Sequence, residues 1–534
     1  MAYIRHCSIP TVRCRKALSL LLALTLLLPF LLPLSSGKAS NVEDSLIVGI
    51  QSTKTTSIRP LAPLERDMMS IYDLVYETLI VIDDNYLPSP GVAESWEMSN
   101  NGRTWTFRLR KSTFSDGTPL TANDVVATAQ AILDQAKSEN GDPGYYANLS
   151  YFVDRITAKD DSTVEVRTTS GRAYWGLLYA MTFPILPAGW AGVDNPPGSG
   201  AYMIETFDPM KTLTLSPNPY WWQNPPQVKR IMVYMNSTQQ QVIEDYEYAR
   251  VDTIFTRAVA AAQYKSGTTS LAMDYRTNQL ETLLMNQSSW KLSSLGVRRA
   301  IRFAIDVDRI ANSVYMGMVL RTDTPMIAGT WMYNENLSSY FRTDLEEARR
   351  LLAEEGWNDI DDDGILEKAR DGKTVELALR LDYYEEPDNS VRVEVANFIA
   401  DALSQIGIQV TVYARSLPDV SRKLSAGDFE LALVSYAMDV CPDPGFLLMK
   451  GNTGNYGRYR SDRMDAPCKD LRKATSQQEY QRTLHDIQAQ FAEDCPFICL
   501  FYRSGAVLTR RMYTTVRDVR ELQLLKGIES FRSN

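Results

Sequence analysis

Between Val375 and Met438 the apolar pattern changes its period repeatedly, and this most restricts how the chain can fold. VELALRL alternates with period two. VRVEVANFIADALSQIG then places Val391, Val395, Phe398, Ala402 and Ile406 on one helical face. IQVTVYA alternates again, a short helical stretch covers Val420 to Leu424, and FELALVSYAM is an apolar strand. Strand, helix, strand, helix, strand in that order predicts a mainly parallel, doubly wound α/β sheet. Ligands bind such sheets beyond the carboxyl ends of the strands. The last strand delivers the chain to Asp439, beside Tyr436, and Pro442, Asp443, Pro444 and Gly445 then turn it. An acid after a strand is ordinarily a turn residue. Its place at a strand's carboxyl end makes this one a candidate ligand-binding group.

Elsewhere TWTFRLR, STVEVRT and KTLTLSP read as half-buried strands, and ANDVVATAQAIL as a helix with Thr121 as N-cap. TDLEEARRLLAEEGW offers Asp344 as N-cap with Glu347 three residues on, a capping-box pattern, and Gly356 near the exit.

The start of the chain is of another character. Arg5, Arg13, Arg15 and Lys16 precede an apolar run from Ala17 to Leu34, and no acid appears before Glu43. With Gly37 and Ala39 suitably placed for cleavage, residues 1–39 read as an export signal, a retained anchor being the alternative. No cysteine directly follows the apolar run, so no lipid-attachment site is expected. Cleavage removes five basic residues and leaves 51 Lys+Arg against 65 Asp+Glu, a net charge of about −14. That balance argues against nucleic acid or an anionic membrane as partner.

Four cysteines remain after cleavage: Cys441, Cys468, Cys495 and Cys499. Three full pairings are conceivable. CPFIC reads as strand, which keeps Cys495 and Cys499 about 13 Å apart. Cys441 and Cys468 both read as loop residues, and on those positions together with this strand geometry the expectation is a Cys441–Cys468 disulfide behind Asp439.

Catalytic and metal motifs are scarce. NDIDDDGILEKAR resembles the start of a calcium loop, but the twelfth position from Asp359 is Arg370, where calcium requires an acid. The stretch reads as a polar hairpin turn, and no metal or cofactor is expected. His485 is the only histidine after the export segment, and no G-x-S-x-G elbow, phosphate loop or dinucleotide fingerprint is present. YWW at Tyr220 to Trp222 and WMY at Trp331 to Tyr333 are core aromatics or the wall of a cleft.

YDLVYETLIVIDDNYLPSPGVAESWEMSNNGRTWTFRLRKSTFSDGTPLTANDVVATAQAIL, from Tyr72 to Leu133, resembles the signature region of family 5 extracellular solute-binding proteins. GSGAYMIETFDPMKTLTLSPNPYWW, VRRAIRFAIDVDRIANSVYMG, LEEARRLLAEEGWNDIDDDGI and AGDFELALVSYAMDVCPDP follow in family order, so the likeness runs from about Ser45 to Tyr502. It implies a two-lobed α/β fold of the periplasmic-binding-protein kind, with an extra subdomain inserted in the first lobe. The implied division is 40–79 and 198–290 for lobe I, 80–197 for the inserted subdomain, 291–504 for lobe II, and 505–534 for a return to lobe I. The implied function is that of a non-enzymatic, monomeric receptor in the periplasm or at the cell surface, capturing short peptides for an ABC transporter permease. Another amine or an oligosaccharide is the alternative ligand, and a secreted hydrolase the alternative class. SYAMD matches the family's G-W-x-x-D segment, which assigns Asp439 to the peptide's amino terminus and Tyr436 to the aromatic wall. Ser435-Tyr436 replaces the usual Gly-Trp, and Ile58-Arg59-Pro60 places a cation where the family often has an acid.

Overall fold

The computed structural model describes residues 45–62, 65–99, 102–137, 144–169, 175–266, 271–386, 390–510 and 519–528. Residues 1–39, read from the sequence as an export signal, lie outside them, and no helix among the described residues is long and apolar enough to cross a membrane.

The framework is an eleven-stranded sheet. Its order is Tyr202–Asp208, Thr212–Pro217, Arg230–Asn236, Ser45–Gln51, Thr253–Thr256, Phe497–Thr509, Leu271–Met285, Leu431–Ala437, Ala378–Tyr384 and Gln409–Arg415, with Val319–Arg321 added to Phe497–Thr509. The expected β-α-β-α-β run forms, and its three strands pair in parallel. Ser45–Gln51 also pairs in parallel with both of its neighbours. The middle departs from expectation, because Phe497–Thr509 and Leu271–Met285 pair antiparallel with each other and with their outer neighbours. The sheet is therefore mixed: parallel around Ser45–Gln51 and through the β-α-β-α-β run, antiparallel where these wings join, and antiparallel again at the outer edge from Tyr202–Asp208 to Arg230–Asn236. The two joining strands, of 13 and 15 residues, are long enough to belong to both wings. Each chain segment crosses between the wings inside a strand, so no crossover helix is needed there.

Two halves result, each with its own apolar interior. One large cluster runs from Leu46 to Met235 and takes in Leu524, Leu525 and Ile528. Two further clusters fill the half built from residues 280–502. A separate four-stranded antiparallel sheet, Ala93–Met98, Thr104–Leu109, Thr163–Thr168 and Val153–Asp160, packs under the helix Ala122–Ala136. Trp105, Phe107, Val164 and Val166 alternate inward, as period two requires. The G-S-G-A-Y stretch has a steric basis. A Cβ on Gly198 would lie 2.0 Å from the Val75 carbonyl oxygen, so only glycine lets the two chains meet.

Local signals were honoured unevenly. Asp344 accepts from the Glu347 amide at 3.0 Å, as a cap should. The reciprocal half of the box is missing, because the Asp344 amide bonds the Phe303 carbonyl and Glu347 pairs with Arg350. Thr121 and Asp124 do form a full capping box. Cys495 departs from expectation: it ends the helix Gln477–Asp494 at φ +44°, and the strand starts at Phe497.

Candidate functional site

A cavity of about 200 Å³ lies beyond the end of Leu431–Ala437, between the two halves. Seven tyrosines line it (Tyr72, Tyr76, Tyr86, Tyr145, Tyr146, Tyr179 and Tyr502), with Met69, Met326, Met332 and Met438. Its charged residues are Asp73, Arg276, Asp439, Arg520 and Glu521. Tyrosine offers a broad apolar face with one polar tip, and methionine adapts to irregular shapes. Such a wall accepts varied side chains while a few charges fix orientation.

Asp439 stands at this wall. Its Oδ1 and Oδ2 accept from the Asn148 Nδ2 at 3.0 and 2.9 Å, and Oδ1 accepts from the Cys441 amide at 3.0 Å. Burial pushes its carboxyl above the ordinary aspartate value, against the opposing pull of these donors. A carboxylate has about four acceptor positions, so Oδ2 retains capacity for a ligand N–H. Asn148 belongs to the first half and Asp439 to the second, so this contact also ties the halves together.

Tyr436 lies elsewhere. It is buried off the cavity, its ring stacked on Tyr456 and edge-on to Phe446, with its hydroxyl donating to the Gly454 carbonyl at 2.8 Å. The loop after Gly445 covers that face of the strand and takes the ring into the core. The aromatic wall comes instead from the chain around Tyr72 to Tyr86. Tyr86 is held at φ +62° by a turn in which Asp83 accepts from the amides of Asn85 and Leu87, both at 2.9 Å. Its carbonyl accepts from the Tyr179 hydroxyl at 2.8 Å and the Trp331 Nε1 at 3.1 Å. A non-glycine residue in the left-handed region is costly, and here it presents the ring to the cavity. The D-D-N-Y turn was the available sequence signal for this.

The halves also meet through aromatic rings. Trp175 contacts Trp331 at 5.6 Å and Tyr480 at 5.5 Å between centroids, and its amide donates to the Ala474 carbonyl. Cys441, Cys468, Cys495 and Cys499 are all free, buried thiols, so the expected Cys441–Cys468 bond is not formed. Cys441 Sγ instead lies 3.7 Å from the Tyr480 hydroxyl and 3.8 Å from the Gly176 carbonyl. Cys468 is buried within the helix Asp462–Leu471. A loop-to-loop placement was assumed for a thiol that a helix directs into the core.

The hairpin at 359–367 brings carboxylate oxygens of Asp359, Asp361, Asp363 and Glu367 within 4.8 Å of one another. Arg370 is turned away, 4.1 Å above the Trp290 ring, so it does not occupy the loop as the twelfth-position argument assumed. Backbone amides of Ile360, Gly364 and Ile365 donate to Glu367, Asp359 and Asp363. His485 sits in the helix Gln477–Asp494, outside the cavity lining.

Two α/β halves joined through long strands and enclosing a side-chain-lined cavity define a ligand-binding protein of the two-lobed class. The sequence matches the family described as bacterial extracellular solute-binding proteins, family 5 Middle, over residues 88–458, and the chain belongs to that family. The oligopeptide-binding protein AppA of Bacillus subtilis (strain 168) is 24% identical, over 92% of this chain and 94% of its own. The periplasmic oligopeptide-binding protein OppA of Salmonella typhimurium is 22% identical, over 82% and 83%. The crystal structure of the ABC transporter substrate-binding protein CtaP from Listeria monocytogenes shares the fold, with a TM-score of 0.77 at 20% identity, covering 92% of this chain and 99% of that one.

Proposed function

We propose that this protein captures short peptides outside the cytoplasm and hands them to an ABC import permease, as a monomer and without turnover. The observation that carries the reading is the Asp439 carboxylate at the wall of a cavity otherwise rich in tyrosine and methionine. A carboxylate there pairs with an ammonium group, and the surrounding rings take apolar side chains with little demand on sequence. The relatives named for oligopeptide binding, similar over most of their length, support the same reading.

The test is incubation with a defined peptide mixture, followed by mass spectrometry of retained and free fractions. Some peptides should be retained at one per protein, and every peptide should remain intact. Cleavage products accumulating at a steady rate would make the protein a hydrolase. Retention of a sugar or a non-peptide amine in preference to every peptide would move the ligand class within the family.

A further inference from the structure

We propose that the open face of the four-stranded sheet binds the phosphate group of a small solute, seated between Arg155 and Arg167. This site shares no residue with the ligand cavity and does not depend on what that cavity holds.

The covered face of the sheet is apolar, with Trp105, Phe107, Ile156, Val164 and Val166 all buried. The other face carries an open groove of about 320 Å³, lined by Arg103, Thr104, Arg155, Thr157, Glu165 and Arg167. The register explains its charge. Arg155 stands directly opposite Arg167 on one side, and Thr104 stands opposite Arg167 on the other. Like charges so placed destabilise an antiparallel pair, because their Cβ atoms lie only about 4.5–5.5 Å apart. A bulge creates the conflict. The register shifts between Val153 and Arg155, which makes Asp154 the extra residue. Strict alternation from the buried Val153 would send Arg155 inward and Ile156 outward; the bulge re-aims both.

The positive charge is only partly answered. Asp154 lies 3.5 Å from Arg167 Nε, and Glu165, the acid that lines the groove, lies 3.3 Å from Lys159. Arg155 makes no ion pair among the described residues, and the Thr104 and Thr157 hydroxyls have no hydrogen-bond partner among them. Arg103, Arg155, Lys159 and Arg167 therefore face only Asp154 and Glu165, on a chain whose formal net charge is −9. Cations gathered against that background, at a cost to the sheet, call for an anion.

Phosphate fits better than a carboxylate. Neighbouring strands lie about 4.8 Å apart, so Thr104, Arg167 and Arg155 spread their donors over about 10 Å. A phosphate presents oxygens in several directions and carries up to about two negative charges. Both guanidiniums donate to it at once, and the threonine hydroxyls reach its remaining oxygens. A carboxylate has one charge and two oxygens in one plane, enough for a single arginine. Lipid headgroups offer the same chemistry, but the chain's overall negative charge favours a small phosphorylated solute over an anionic membrane.

The test titrates the mature protein with inorganic phosphate, followed by phosphorus NMR against chloride at matched ionic strength. Sedimentation with phosphatidylglycerol and phosphatidylcholine vesicles runs alongside. Wild type should bind phosphate saturably. Arg155→Gln and Arg167→Gln should each weaken binding about tenfold, the loss of one charge-assisted hydrogen bond. Arg108→Gln, on the same strand as Thr104 but outside the groove, should leave it unchanged. In chloride alone Arg155→Gln should melt no lower than wild type, because it relieves the opposed pair; a lower melting temperature overturns the reading of that pair as a cost. Equal phosphate binding by wild type and both groove variants overturns the site, as does an equal loss in Arg108→Gln. Sedimentation with phosphatidylglycerol vesicles that the groove variants abolish, without binding of inorganic phosphate, keeps the site and overturns the choice of a solute. Binding of neither phosphate nor vesicles overturns the proposal.

Discussion

At the scale of single residues, Asp439 and Tyr436 show how little adjacency in sequence says about adjacency in space. Three residues apart, one enters the cavity and the other enters the core. Asp439→Ala would leave a bound ammonium without its partner, at a cost on the order of 3–5 kcal/mol. Affinity for free-amine peptides should fall by about two to three orders of magnitude. Acetylating the peptide should weaken wild-type binding comparably and scarcely affect the variant further, which calorimetry on the double cycle reads directly. The pH dependence has a definite sign. The ammonium needs an ionised carboxylate, and burial raises the Asp439 value. Affinity should therefore begin to fall, as pH is lowered, above the pH at which an ordinary aspartate would be protonated.

At the scale of elements, the hairpin at 359–367 shows where a motif count stops being useful. Counting to the twelfth position met a cation, while the folded chain brings a nearly buried Glu367 to the three aspartates and lays Arg370 on Trp290. The loop has its own closure in three backbone amides donating to those acids. A hairpin held by those bonds alone should melt at the same temperature in calcium and in chelator. A rise of several degrees in calcium would assign the four oxygens to a cation. Helix ends were read more securely, because a cap acts within one turn. Asp344, expected from the sequence, accepts from the amide three residues on, and Ser416 and Ser476, which only the structure identifies as caps, do the same.

At the scale of the whole molecule, four charged groups from separate parts of the second half converge. Arg392 Nη2 meets Glu281 at 2.9 Å and Glu386 at 3.0 Å, and Arg503 meets the same two acids at 2.5 and 2.6 Å. Arg392 sits on the inward face of the helix Val391–Ser404, with Ala396, Ile399 and Leu403, a face rotated from the expected one through Val391 and Phe398, and its charge is tolerable there because it is paired on arrival. Burial works to raise the Glu386 carboxyl, but hydrogen bonds and charge from Arg503 and Arg392 outweigh it and hold the value at about 2. A depressed carboxyl stabilises the fold above its unfolded value, 4.5, and that stability is lost as pH falls toward 2. Melting temperature should therefore drop through this window, and Glu386→Gln should flatten the drop while lowering stability at neutral pH.

The sequence by itself determined the family, the α/β character, the second wing of the sheet and the position of Asp439 at a strand's end. Those follow from periodicity, capping and short motifs, which act over one element and the next. Tertiary structure alone decided the antiparallel join between the wings, because pairing Leu271–Met285 with Phe497–Thr509 brings together residues more than 200 positions apart. It decided as well that Tyr86 rather than Tyr436 faces the cavity. Which way a side chain points, and which charges meet, is set by packing between distant segments, and no local pattern carries that information.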